Sequence, residues 1–157
     1  MRSWRYALLM ICLLPAFGWA LEPGERLAPW TLLDQHDQAH SLDDSLEVLM
    51  VVRSMEAGKL VNEAMDGQPN DLFQQRHIAL IADISGMPVL ISKMFAVPAM
   101  RDYGYPILLD REARIAPRYP GDKNKVLWLM LDHGRYVGQR QYDSAEALRD
   151  ALQAKSK

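Results

Sequence analysis

Runs of consecutive apolar residues recur along the chain and are separated by polar stretches. Three of them are continuous: "VLMVV" at 48–52, "IALIA" at 78–82 and "VLWLML" at 126–131. Continuous apolar runs of this length, bounded by turn residues, are typical of strands that are buried on both faces of a sheet. Shorter runs at Trp30–Leu33 and Tyr105–Leu109 predict two further strands.

Apolar residues with helical spacing fill the interval between the first two long runs. A helix over Met55–Met65 places Val61 and Ala64 on one apolar face, and Gly67 followed by Pro69 ends it. The interval therefore predicts a helix that crosses over between two strands.

Proline and capping residues predict two other helices. Pro88 suits the first position of a helix, where a missing N–H costs nothing, and Pro98 should end or kink that helix near Ala96. Near the C terminus, we expect Asp143 to cap a last helix, with Glu146 as its capping-box partner.

The order of these elements predicts the fold class. Alternating strands and helices imply parallel crossovers, and a hairpin that turns at 132–134 and returns over 135–141 adds antiparallel strands. We therefore expect an α/β fold, a mixed sheet with helices on both faces and a C-terminal β-hairpin plus helix. No linker or repeat divides the chain, so residues 21–157 should form a single domain.

The first twenty residues have the layout of a secretory signal. Arg2 and Arg5 precede an apolar stretch over Tyr6–Phe17, and the small residues Gly18 and Ala20 suit a cleavage site. We expect cleavage near Ala20 and, in a bacterium with two membranes, export to the periplasm. An uncleaved membrane anchor is the alternative, because tryptophans at positions 4 and 19 flank the apolar stretch as interfacial residues do.

Charge and cysteine content narrow the function classes. Removing Arg2 and Arg5 from the 18 basic residues leaves 16 against 20 acidic ones, and no cluster of lysines and arginines stands out. This balance argues against nucleic acid or an anionic membrane as the main partner.

The one cysteine, Cys12, lies inside the signal. The mature chain should therefore lack disulfides, cysteine nucleophiles and dithiol redox chemistry.

Four stretches carry a resemblance to the thioredoxin-like superfamily, on its peroxiredoxin and thiol-reductase side. They are "LAPWTLLDQHDQAHSLDD" at 27–44, "VLMVV" at 48–52, "YPILLDREARIAPRY" at 105–119 and "VLWLMLDHGRYVG" at 126–138. The resemblance implies a thioredoxin-like sheet, and the exported thioredoxin-like proteins of proteobacteria are the most similar in plan.

Two features of the family's thiol site are missing. Redox-active members carry one or two cysteines after the first central strand, where this chain reads "RSMEAGKL" at 53–60. The family's cis-proline would fall near Val126, and the nearest proline is Pro120. The resemblance therefore implies neither the family's activity nor any catalytic residue, and the chain should be no thiol-disulfide oxidoreductase or cysteine peroxidase.

Charged residues at strand ends are the candidate ligand-binding site. Arg53 and Lys59 follow one buried strand and Asp83 ends the next, and ligands of open α/β sheets bind beyond the carboxyl ends of strands. A basic group at a helix N-terminus favours an anionic ligand. The alternative is a surface ion-pair cluster left where a redox site once stood.

Two other groups of residues favour structural roles. One group could bind a metal ion: His36 and His40, with the nearby Asp34 and Asp37. The residue types of this segment predict a turn, however, so we expect no metal site. A second group is rich in methionine, and core packing explains it better than a metal or peptide groove. Its members are Met87, Met94, Phe95, Pro98 and Met100.

The function expected from the sequence is an exported thioredoxin-fold protein without thiol redox activity. It would act as a binding or assembly module in the cell envelope, with another envelope protein or a small ligand as its partner. The alternative is a non-thiol enzyme or a carrier of a small anionic ligand, using Arg53, Lys59 and Asp83. The sequence contains no dinucleotide-binding or phosphate-binding motif. The cofactor stays unknown, because a flavin can bind to a protein that lacks such a motif.

Overall fold

The structure is a computed structural model and describes residues 20–154. The expected signal lies outside this range except for Ala20, as do the last three residues of the expected domain. The strands are β1 (Thr31–Leu33), β2 (Ala39–Ser41), β3 (Val48–Val52), β4 (Ile78–Asp83), β5 (Leu108–Asp110), β6 (Val126–Asp132) and β7 (Arg135–Tyr142). The helices are α1 (Met55–Met65), α2 (Leu72–Gln75), α3 (Val89–Ile91), α4 (Val97–Met100) and α5 (Ala145–Gln153).

Five strands form one mixed sheet in the order β5-β4-β3-β6-β7. β3 and β4 are parallel, with Val48 opposite Ile78 and Val52 opposite Ala82. β6 runs antiparallel to β3 and joins β7 through a hairpin. The expected mixed sheet, with its parallel central pair and its C-terminal hairpin and helix, is confirmed.

Alternate residues of the central strands point to two separate cores. Met50 of β3 packs with helix residues such as Val61 of α1 and Leu148 of α5. Its neighbour Leu49 faces the other side and packs with Trp30 and other residues that come before β1 or after β5. The α-helices thus cover one face, while the N-terminal segment and a 3₁₀ turn at Ala116–Arg118 cover the other. On this second face, where the sequence predicted helices, the helical cover given by the described residues is this one short turn.

The structure departs from the predicted elements at β2 and at the start of the last helix. β2 was not predicted because its sequence, "AHS", lacks an apolar pattern, yet it pairs with β1 in a short hairpin. The last helix is capped by the Ser144 hydroxyl, which accepts a hydrogen bond from the N–H of Ala147, and the expected cap at Asp143 was wrong.

The helical segment 89–100 continues through Pro98. It consists of α3, a π-helical turn over Ser92–Ala96 and α4. The expected end at Ala96 was wrong, because the backbone stays helical through Val97. The hydrogen-bond pattern does change there, from the π-helical turn to α4, and Pro98 falls in the first turn of α4, where an absent N–H is tolerated. The segment instead ends at Met100. The strand expected over Tyr105–Leu109 is β5, which covers only Leu108–Asp110.

Candidate functional site

The carboxyl end of β3, where α1 starts, is the place at which the family resemblance would put a thiol. Here Ser54 caps α1, and its hydroxyl accepts a hydrogen bond from the N–H of Ala57 at 3.1 Å. Met55, the next residue, is 84% exposed. A hydroxyl that caps the helix and a projecting methionine therefore occupy the place where a cysteine would stand.

Arg53 connects the loop after β5 to this end of the sheet through two hydrogen bonds. Its Nη2 donates to the carbonyl of Ala116 at 2.7 Å, and its Nη1 donates to the carbonyl of Gly121 at 3.4 Å. Burial lowers the pKa of the Arg53 guanidinium, while the negative charge of Asp83 acts in the opposite direction. Arg53 and Asp83 are thus electrostatic neighbours, as their positions at adjacent strand ends suggested.

The remaining predicted site residues have local partners. The Oδ1 of Asp83 accepts hydrogen bonds from the hydroxyl of Ser85 at 2.6 Å and from its N–H at 3.0 Å. Lys59 is exposed on α1 and lies 3.7 Å from the carboxylate of Glu63, one turn along the helix. The structure therefore couples Arg53 with Asp83 and pairs Lys59 with Glu63. That the three residues bind one ligand stays a prediction.

Asp110, a buried carboxylate at the same end of the sheet, was not singled out from the sequence. Its Oδ1 accepts a hydrogen bond from the N–H of Arg114 at 3.0 Å. Its Oδ2 accepts from the N–H groups of Ile115 and Ala116, both at 2.8 Å. The detectable signal was an aspartate directly after an apolar strand in "LLDREARIA", a position from which its side chain can organise the following turn.

The aspartate and histidine turn folds around Asp34. The buried carboxylate of Asp34 accepts hydrogen bonds from the N–H groups of His36 and Gln38 and lies 2.7 Å from Nε2 of His40. Burial by itself would raise the pKa of Asp34, but these hydrogen bonds lower it below the ordinary value. Within residues 20–154, no group of three or more potential ligands could hold a metal ion.

The segment 89–100 exposes an apolar surface, which we call the apolar face. Met94 and Phe95, expected in the core, are 59% and 62% exposed, and Pro98 is exposed too, so that prediction was wrong for these three residues. The segment instead buries Val97 and packs Met100 partly against the core, while five other large apolar side chains are exposed. The apolar face consists of Val89, Leu90, Ile91, Met94 and Phe95.

The charged residues between Asp83 and Asp102 in the sequence have one sign. No acidic residue occurs between Asp83 and Asp102, whereas Lys93 and Arg101 lie in this interval. Lys93 is exposed and makes no ion pair with any residue in the described part of the chain. An exposed cluster of large apolar side chains on a helix is typical of an interaction surface.

Solved structures share this arrangement of strands and helices. Peroxidoxin BcpB from Mycobacterium tuberculosis is 16% identical, with 85% of this chain and 94% of that chain covered at a TM-score of 0.55. The thioredoxin domain of a thiol-disulfide oxidoreductase from Bacteroides vulgatus is 11% identical, with 85% and 99% covered and a TM-score of 0.52. A peroxiredoxin-like protein from Aquifex aeolicus is 10% identical, with 84% and 86% covered and a TM-score of 0.52.

These similarities establish that the chain has a thioredoxin-like fold. Identities this low do not show that the chain shares an activity with these proteins, because a fold persists when the residues of its site change. No protein-family model matches the sequence, and no curated protein matches it either. Among residues 20–154, no helix is both long and apolar enough to span a membrane.

Proposed function

We propose that this protein is an exported thioredoxin-fold binding module of the cell envelope that works without thiol chemistry. The observation that carries the proposal is the replacement of a thiol site by Ser54 and the exposed Met55, at the end of the sheet from which the segment 89–100 departs. The signal-like first twenty residues support export, and the periplasm is the proposed location.

The exposed side chains indicate what the partner should present. Leu90 and Phe95 are each more than 60% exposed, and covering such side chains removes apolar area from water at about 25 cal/mol per Å². Lys93 within the same surface favours a negative charge opposite it. We therefore propose a protein partner that offers an amphipathic segment flanked by acidic residues.

Binding to envelope extract from the source cells tests this proposal. The mature chain, starting at Leu21, is immobilised and compared with Leu90→Asp, which places a charge in the apolar face. We expect a specific acidic partner to be retained by the unaltered chain and lost with Leu90→Asp. The matched control is Val137→Asp, since Val137 is also an exposed apolar residue but lies on β7, at the far edge of the sheet.

A second substitution tests the charge argument separately. Lys93→Glu keeps a helix-compatible residue but reverses the one charge inside the apolar face. It should weaken retention of the partner, and the weakening should shrink as salt is added. Equal retention by the unaltered chain, Leu90→Asp and Val137→Asp would contradict the proposed surface.

A further inference from the structure

An open cleft lies between the N-terminal hairpin and the loop that follows β5. It has a volume of about 660 Å³, within the range of small-molecule sites. Residues 29–33 with 41 and 42 form one wall, and residues 109–112 with 114, 115 and 118 form the other. The Nη1 of Arg118 donates to the carbonyl of Pro29 at 3.2 Å, and this hydrogen bond joins the two walls.

Three arginines on one wall give the cleft a positive rim. Arg111, Arg114 and Arg118 all line it, together with only two acidic residues. The carboxylate of Asp110 is buried and already accepts three backbone N–H groups, and Glu112 lies 3.4 Å from the guanidinium of Arg114. Arg111 is exposed and makes no ion pair among the residues that the structure describes, so its guanidinium is available to an anion.

The facing wall combines apolar surface with hydroxyl groups. Leu33 is 45% exposed and lines the cleft, and Leu32 and Leu42 add further apolar surface. The hydroxyls of Thr31 and Ser41, opposite each other on β1 and β2, lie 2.6 Å apart. One of these hydroxyls donates to the other, which leaves a second O–H able to donate to a ligand.

We propose that this cleft binds a small amphiphilic anion, a molecule with one phosphate or carboxylate group on an apolar body. The anionic group would lie against the guanidinium of Arg111 at the rim, since guanidinium groups form strong charge-assisted hydrogen bonds with such oxygens. The apolar body would cover Leu33 and its neighbours. This site is separate from the apolar face and from Arg53, Lys59 and Asp83, so it stands or falls independently of the proposed protein partner.

Calorimetric titration with octyl phosphate, below its micelle concentration, tests this site. The unaltered mature chain is compared with Arg111→Glu and with Arg140→Glu, a matched charge reversal at an exposed arginine of β7 on the opposite edge of the sheet. We expect Arg111→Glu to weaken binding about tenfold or more and Arg140→Glu to leave it close to unchanged. Octanoate should bind in the same place, as shown by amide chemical shifts that change at Leu33, Ser41 and Arg111.

Two further ligands separate the contributions of the head and the body. Inorganic phosphate and octanol should each bind at least about tenfold more weakly than octyl phosphate, because each lacks half of the complementary chemistry. The proposal is overturned if octyl phosphate fails to bind the unaltered chain. It is also overturned if Arg111→Glu and Arg140→Glu bind equally, or if inorganic phosphate alone binds as tightly as octyl phosphate.

Discussion

Arg53 and Asp110 hold opposite sides of one residue, Ala116. The Nη2 of Arg53 donates to the Ala116 carbonyl at 2.7 Å, and the Oδ2 of Asp110 accepts from the Ala116 N–H at 2.8 Å. Arg53 directly follows β3 and Asp110 ends β5, with β4 between these two strands. The loop after β5 is therefore fixed across the end of the sheet by side chains rather than by a strand or a long helix.

Removing the buried carboxylate of Asp110 should destabilise the protein strongly. Asp110→Ala leaves three N–H groups without their acceptor, and each unsatisfied buried group costs about 1–3 kcal/mol. We expect the free energy of unfolding in urea to fall by about 3 kcal/mol or more. Asp122→Ala is the control, since the carboxylate of this exposed aspartate accepts a hydrogen bond from the N–H of Asn124, which is itself exposed. An equal loss in both variants would contradict the bracing role of Asp110.

Arg53 and Asp110 should be coupled energetically. Arg53→Ala removes the two hydrogen bonds to the loop carbonyls, and we expect it to cost about 1–2 kcal/mol by itself. Once Asp110 is gone and the loop has loosened, the same change should cost less. A double-mutant cycle with Asp110→Ala measures this, with an expected coupling free energy of about 0.5 kcal/mol or more. Purely additive losses would show that the two side chains do not act on one loop.

The turn around Asp34 should make stability depend on acid pH. Because the pKa of Asp34 is lowered in the folded state, the unfolded chain binds more protons as the pH falls. The stabilisation is complete above the ordinary pKa of 3.8 and is lost as the pH falls through the folded-state value. Urea unfolding between neutral pH and pH of about 3 should show a shallower acid decline for Asp34→Asn than for the unaltered chain.

An exposed aspartate provides the comparison for this pH experiment. Asp44 forms a surface ion pair with Arg26 at 2.6 Å, and both side chains are more than half exposed. Such pairs contribute little to stability, so Asp44→Asn should keep the acid decline of the unaltered chain. If Asp34→Asn also keeps it, the hydrogen bonds to the Asp34 carboxylate do not set the acid stability.

Placing a thiol at Ser54 tests whether the helix end can still activate one. The N-terminus of α1 should lower the pKa of a cysteine there below the ordinary value of about 8.5. Ser54→Cys and Met94→Cys are compared in a Cys12→Ser background, with the rate of iodoacetamide alkylation measured against pH. We expect the thiol at position 54 to react at a lower pH than the one on the exposed helical surface. Identical pH profiles would contradict retention of the thiol-activating geometry.

The sequence was informative where one local pattern decided the structure. The buried strands at 48–52 and 78–82 and the helix over Met55–Met65 follow from apolar runs and helical spacing, and the structure confirms them. Arg53 and Asp83 become neighbours because adjacent parallel strands end at the same edge. The choice of Ser144 over Asp143 as a cap depended on backbone angles, which two equally suitable residue types do not reveal.

The features that sequence analysis missed depend on contacts between distant positions. The hydrogen bond from Arg53 to Ala116 joins residues that are 63 positions apart in the sequence. The cleft lined by Arg111 forms because the N-terminal hairpin lies opposite the loop after β5. The apolar content of the segment 89–100 suited either a core or an exposed surface. Which residues face the core is known only from the structure, where Val97 is buried and Leu90 and Phe95 are exposed.

Site-specific photocrosslinking in living cells tests the central claim, that the protein is a binding module acting through its apolar face. A benzoylphenylalanine is placed at Leu90 or, as the control, at Val137 on the opposite edge of the sheet. We expect one discrete crosslinked partner from position 90, with acidic residues in the crosslinked segment. We also expect that Lys93→Glu diminishes the product and that position 137 yields none. Absence of a discrete product at position 90, or the same products from both positions, would show that the apolar face is not the binding surface.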